Sequence, residues 1–149
     1  MPACVESMMY VREVPWHGLG TRVEEAPTSK EALELAGLNW TINGMPIFDS
    51  MGNQIEGFKA NTRSSDNKVL GIVGNRYQIV QNSEAFEFTD ALIGEGIRYE
   101  TAGSLLGGKK IWLLGKMPER KVAGDKVDPY ICFTNTHDGS GAARVCMTP

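Results

Sequence analysis

Apolar and polar positions change period several times along the chain, and the changes outline its elements. Residues 1 to 27 hold no sustained period, and Pro2, Pro15 and Pro27 each interrupt regular structure, so they read as an irregular lead-in. "TSKEALELAG" then predicts a short helix. Ala32, Leu33, Leu35 and Ala36 supply its apolar side, Thr28 and Glu31 stand at capping-box spacing, and Gly37 is placed to end it in a left-handed conformation. From "NWTINGMPIFD" the pattern turns to strand. "QIEGFKANTR" and "KVLGIVGNRYQIV" predict a strand pair joined by the polar turn "SSDN".

"NSEAFEFTDALIGEG" reads as the second helix, with Asn82 as its cap, Ala85, Phe88 and Leu92 recurring at three to four residues, and Gly94 as its stop. Tyr77 to Val80 reads as a strand running into that cap. "IRYETAGSLL", "KKIWLLGKM", "PYICFTNT" and "AARVCMTP" follow as strands, and "PERKVAGDKVD" (118–128) as an exposed loop. Two short helices among strands joined as hairpins predict an α+β fold, mostly antiparallel, in a single domain over 1–149.

Composition narrows the class without naming a chemistry. Glycine is in excess, 17 residues of 149, which suits many turns between short strands. Lysine and arginine total 15 against 18 aspartate and glutamate, a formal net charge of −3, which excludes a wholly basic nucleic-acid binder but not a local basic stripe. No apolar run approaches the roughly 18 residues of a membrane span. Glu6 stands early and no basic stretch precedes an apolar one, so no signal peptide is read. Three scattered cysteines do not make a disulfide scaffold, and a cytoplasmic, reduced protein is expected.

"AGSLLGGKKIWLL" (102–114) poses the sharpest question. Gly103, Gly108 and Lys109 fall at the spacing of a phosphate-binding loop. The next position should be Ser or Thr, to hold magnesium, but it is Lys110. A helix should also start there, so that its free amides face the phosphates, whereas Ile111-Trp112-Leu113-Leu114 is β-prone. Gly107-Gly108 fits instead the two-residue turn of a hairpin.

Other candidates have structural readings that weigh more. His137, Asp138 and Ser140 in "HDGSG" are contiguous in one turn, where a catalytic triad needs side chains converging from separate elements. A five-residue turn over 137–141 would pair Thr136 with Ala142 and set Cys132 opposite Cys146. His137 is then too far along the strand to complete a metal site, and the thiols read as buried and free. Glu84, Glu87 and Asp90 share one helical face, ordinarily a solvated one. No catalytic residue, metal ligand or cofactor is assigned.

The densest basic cluster is Lys109, Lys110, Lys116, Arg120 and Lys121, with Trp112 among them. Cations beside an aromatic platform are what single-stranded nucleic acid requires, neutralised phosphates and a stacking surface. Arg12 and Arg22 flank Trp16 and His17 in a similar way near the N-terminus.

Three blocks, "PWHGLGT" (15–21), "GNRYQIVQNSEAFEF" (74–88) and "FTNTHDGSGAARVCMTP" (133–149), resemble the phage/plasmid-like protein family of unknown function, in the family's order. The resemblance implies a mobile-element setting and supplies no catalytic residues. Members of that family continue past the point where this chain stops, so a short form or an N-terminal portion is expected. In that setting the basic and aromatic residues predict a non-enzymatic protein that binds single-stranded DNA or a DNA-handling complex during element replication or transfer. Two alternatives stand beside it: a protein-binding inhibitor of a host defence nuclease, favoured by the mild acidity, and an enzyme centred on His17 or His137. The oligomeric state is left open.

Overall fold

The computed structural model describes residues 4–11, 20–23, 28–93, 98–117, 120–122, 124–127 and 129–148. It is the expected α+β fold, mostly antiparallel sheet with two helices. The strands are β1 (Val5–Val11), β2 (Thr21–Val23), β3 (Ile42–Met45), β4 (Phe58–Arg63), β5 (Val69–Gly74), β6 (Arg98–Leu105), β7 (Lys110–Lys116), β8 (Arg120–Val122), β9 (Asp125–Val127), β10 (Tyr130–Thr136) and β11 (Arg144–Thr148). The helices are α1 (Ser29–Leu35) and α2 (Asn82–Ile93). A six-stranded sheet runs β11-β10-β7-β6-β1-β2, a three-stranded sheet β3-β4-β5, and β8-β9 form a small ladder. No helix among the described residues is long and apolar enough to cross a membrane.

The lead-in is partly strand. Pro2 and Pro15 bracket β1 without interrupting it, and β1 lies between β6 and β2 inside the large sheet. The expected loop over 118–128 contains the β8-β9 ladder, which turns back around Gly124. The β4-β5 pair and its polar turn stand as predicted, and the chain leaves α1 through Gly37 at φ +70°. Thr28 does not cap α1, however: its hydroxyl donates to the Glu31 carboxylate at 2.8 Å and makes no capping bond to an amide. Residues 77–80 form no strand.

The second helix corrects its predicted face. The inward positions are Asn82, Ala85, Phe86 and Thr89, while Phe88 and Leu92 stay half exposed. Those four follow the i, i+3, i+4, i+7 spacing of a buried face, but two of them are polar, which conceals the stripe in the sequence. Thr89 is satisfied by donating to Ala85 O at 2.9 Å. Asn82 is not a cap. Its Nδ2 donates to Leu38 O at 3.1 Å, and the start of α2 is closed by the Gln81 amide donating to Glu84 at 3.1 Å. On the neighbouring strand Tyr99 is fully buried, edge-on to Phe86 at 4.9 Å, and its hydroxyl donates to Asp90 at 2.8 Å. Part of the supposedly solvated acidic face therefore anchors the helix to β6.

The core lies on one face of the large sheet, where Ile111 and Leu113 (β7), Ile131 and Phe133 (β10), Met9 and Ala102 meet both helices and Leu70 and Ile42 of the small sheet. The small sheet also closes the hairpin ends of the large one through polar contacts. Asn61 Nδ2 donates to His137 O at 3.0 Å, and Arg63 binds Asp66 through Nε and Nη2 at 3.0 and 2.7 Å, pairs with Glu6 of β1, and lies 5.3 Å over the Trp40 ring. His137 completes the joint, 1% exposed and edge-on to Trp40 at 5.6 Å. Because Asn82 Nδ2 is committed to Leu38 O, its Oδ1 accepts, so the neutral imidazole carries its proton on Nε2 and donates it at 2.8 Å.

Burial pushes the His137 pKa down to about 4, against a weaker upward pull from Asp138. The unfolded chain, with an ordinary histidine near 6.5, therefore binds a proton that the folded ring refuses. This contribution to stability is complete above about pH 6.5 and is lost as the pH falls to about 4, a change of roughly 3 kcal/mol. The Asp66 carboxyl, held down to about 2 mainly by hydrogen bonds from Arg63, acts only at lower pH. Thermal unfolding across pH 4 to 7 should show the wild-type midpoint falling with acid and a much flatter profile for His137→Gln; parallel profiles would disprove a buried neutral ring.

Candidate nucleic-acid interface

The glycine-rich run 103–109 is the natural first place to look for a ligand, and the structure fills it with protein. Leu105 pairs with Lys110, so the turn spans Leu106 to Lys109, longer than the expected two residues, and a strand, not a helix, follows it. Gly107 and Gly108 take φ +68° and +97°, and a Cβ at Gly108 would run into the Arg63 guanidinium. The Lys68 ammonium donates to Gly107 O at 3.3 Å. The Leu106 amide donates to Cys4 O and the Lys109 amide to Leu106 O, and the turn, packed against Arg63 and Lys68, serves as a joint.

The opposite face of the large sheet is the open one. Strand β7 alternates strictly: Ile111, Leu113 and Gly115 are buried, while Lys110, Trp112, Leu114 and Lys116 are half-buried on the other side. Residues paired across strands share a face, so the registers assemble rows over it. One row runs Met8, Gly103, Trp112, Thr134, Arg144. The next runs Tyr10, Thr101, Leu114, Cys132, Cys146. Flanking them are Leu105, Lys110, Thr136 on one side and Arg98, Lys116, Tyr130 on the other.

Trp112 has a shaped seat in the first of these rows. A Cβ on Gly103 would collide with Ser7 O, with Met8 Cβ and with the far edge of the Trp112 ring. Absence of a side chain there lets the indole lie across β6, half-buried, with its remaining surface on the open face. Arg144 is exposed two strands away in the same row, about 10 Å off at the usual strand spacing. Lys110 stands one row over, and Lys110 and Arg144 both line a depression of about 350 Å³ whose walls include Thr134, Thr136 and Ser140. Asp138 borders it as well. Partial burial works against its charge, but hydrogen bonds from the Ser140 hydroxyl and amide, with Lys109 nearby, outweigh this and hold the carboxyl below its ordinary range.

Of the residues expected to bind nucleic acid, Lys110, Trp112 and Lys116 thus share one face. Lys109 sits in the turn at its end, where its carbonyl accepts the His137 amide at 2.6 Å. Arg120 and Lys121 belong to the separate β8-β9 ladder, and their side chains lie outside the described residues, as do Arg12, Trp16 and His17. Arg144, Tyr130 and Tyr10 complete the face and were not singled out in the sequence. The opposed cysteines contained the signal for Arg144, because the register that aligns 132 with 146 also sets 144 beside Thr134 and hence in the row of Trp112. His137 and Asp138 form no triad with Ser140: the ring is interior and bonded to Asn82, and Asp138 receives the Ser140 amide at 2.9 Å in a local turn. Among the described residues no three His, Cys, Asp or Glu side chains gather as metal ligands.

The family model described as "Domain of unknown function (DUF932)" matches residues 69–149, more than half of the chain, and the chain belongs to that family. The matched region begins at β5 and contains α2 together with the β6, β7, β10 and β11 strands of the open face. No curated protein and no solved structure matches the chain.

The seat of Trp112 can be tested directly. Gly103→Ala should cost roughly 1–3 kcal/mol in urea unfolding, as overpacking does, and should shift the Trp112 emission by displacing the ring. An unchanged midpoint and spectrum would mean that the indole does not rest on Gly103.

Proposed function

We propose that this protein binds single-stranded DNA on the open face of its six-stranded sheet, as a non-enzymatic component of phage or plasmid replication or transfer. The observation that carries the reading is the row in which Trp112 and the exposed Arg144 lie together, with Lys110 in the neighbouring row. A half-buried indole whose edge rests over Gly103 has its remaining surface on the open face for a base to stack on, and sequence-independent stacking of this kind contributes about 1–3 kcal/mol per base. Lys110 and Arg144, with Thr134 beside Arg144, suit the phosphates on either side of that base. The mobile-element setting rests on the resemblance of the three sequence blocks. A net charge of −3 is compatible with this use, because binding answers to the local field of Lys110 and Arg144 and not to the sum over the chain.

A second reading, a protein-binding inhibitor of a host defence nuclease, draws on a different surface. Phe88, Val145 and Met147 are half exposed on the core side of the sheet, next to the edge strand β11. Phe88→Asp would weaken binding on that surface and leave oligonucleotide binding untouched.

Anisotropy titration of a labelled oligodeoxythymidylate decides the first reading. At about 50 mM salt binding is expected, weakening steeply towards about 200 mM as counterions are released. Trp112→Ala should lower affinity by about tenfold or more. Lys110→Ala and Arg144→Ala should each reduce the slope of log affinity against log salt by roughly 0.7. Absence of binding at about 50 mM salt, or an unaffected Trp112→Ala variant, overturns the proposal.

A further inference from the structure

Cys132 and Cys146 stand directly opposite one another on β10 and β11, as the sequence register predicts, and both thiols are free. Directly opposed residues of antiparallel strands have Cα atoms about 4.5–5.5 Å apart and project their side chains to the same face. That separation lies within the roughly 4.4–6.8 Å bridged by a disulfide. The two thiols differ in setting. Neither is buried as expected: Cys146 is exposed and Cys132 half-buried, and partial burial, then the neighbouring Cys146, pushes the Cys132 pKa up against the pull of Lys110. The third cysteine, Cys4, is exposed at the start of β1, beside the turn that its carbonyl joins through Leu106 N at 3.0 Å. It is not in the Cys132 row.

We propose that Cys132 and Cys146 form a reversible dithiol modification site, oxidised to a cross-strand disulfide by low-molecular-weight disulfides. The exposed Cys146 thiolate attacks one sulfur of the small disulfide, forming a mixed disulfide and releasing the first small thiolate. Cys132 loses its proton to solvent and attacks the Cys146 sulfur, and the second small thiolate leaves. The protein loses two protons and two electrons, and the small disulfide is reduced to two thiols. The bond fastens β11, the end strand of the sheet and the one that carries Arg144, to the body of the fold. This site is independent of the nucleic-acid reading, since its geometry involves neither Trp112 nor Lys110 as a reacting group.

The experiment uses the full chain carrying Cys4→Ser, equilibrated with oxidised glutathione and followed by intact mass and peptide mapping. The expected product has lost two hydrogens, contains a Cys132–Cys146 linked peptide, returns to the dithiol under excess reduced glutathione, and melts roughly 5 °C or more higher than the reduced form. With Cys132→Ser added, one glutathione should remain trapped on Cys146. With Cys146→Ser instead, Cys132 should react about tenfold more slowly. Stable glutathione adducts on both thiols, or a disulfide between two chains, in the Cys4→Ser protein would overturn the proposal whether or not the other variants fold.

Discussion

The fold depends on a polar joint between its two larger sheets. The small sheet covers the turn at 106–109 and the bend at 137–139, which takes their backbone groups out of water and obliges the protein to supply partners. Asn61 donates to His137 O and Lys68 to Gly107 O, while Arg63 pairs with Glu6 of β1 and Asn82 of α2 bonds the His137 ring. Each contact is worth little on its own in water, but buried and mutually dependent polar groups become costly to break one at a time. Arg63 shows this directly. It is buried, its fork is filled by Asp66 and Glu6, and its plane covers Trp40, so removing any one partner leaves a charge in a poor environment.

This joint explains which parts of the chain could be read from sequence and which could not. Hairpins, the class of fold and the Cys132–Cys146 register follow from local alternation and turn residues, which act between neighbouring strands and leave their mark within a few positions. The role of Asn82 could not be read that way. At a helix start an asparagine suggests a cap, yet here its two ends bond Leu38 O and the His137 ring, residues 44 and 55 positions away. His137 likewise sits in a turn-like sequence but is among the most buried side chains described. Long-range partners override local preference in both cases. β1 is hidden for a related reason: its pairing with β6 crosses most of the chain, and the prolines on either side of the seven-residue strand carry the local signal of irregular structure.

The candidate face was partly legible because strand alternation is strict. Once Ile111 and Leu113 are assigned to the core, Lys110, Trp112 and Lys116 must point the other way. Which residues join them from other strands is a matter of register, and only the β10-β11 register was within reach of local reasoning. Sequence proximity joins Lys109, in the turn, to Lys110, Trp112 and Lys116, whereas spatial rows place Arg144 in line with Trp112.

The same alternation makes the open face difficult to alter piecemeal. A one-residue slip of β7 would drive Lys110 and Lys116 into the core and bring Ile111 and Leu113 to the surface, so the register is held by the apolar side whatever the open side does. Two glycines then adapt the hairpin to its neighbours. Gly108 leaves room for Arg63 at the joint, and Gly103 leaves room for Trp112 on the open face. The glycine spacing that imitates a phosphate loop arises from these two packing needs, one in the turn and one two residues before the end of β6. The demand at Gly103 is the tighter of the two, because a Cβ there meets the backbone of Ser7 and the Met8 Cβ as well as the edge of the indole, whereas at Gly108 it meets the end of a side chain.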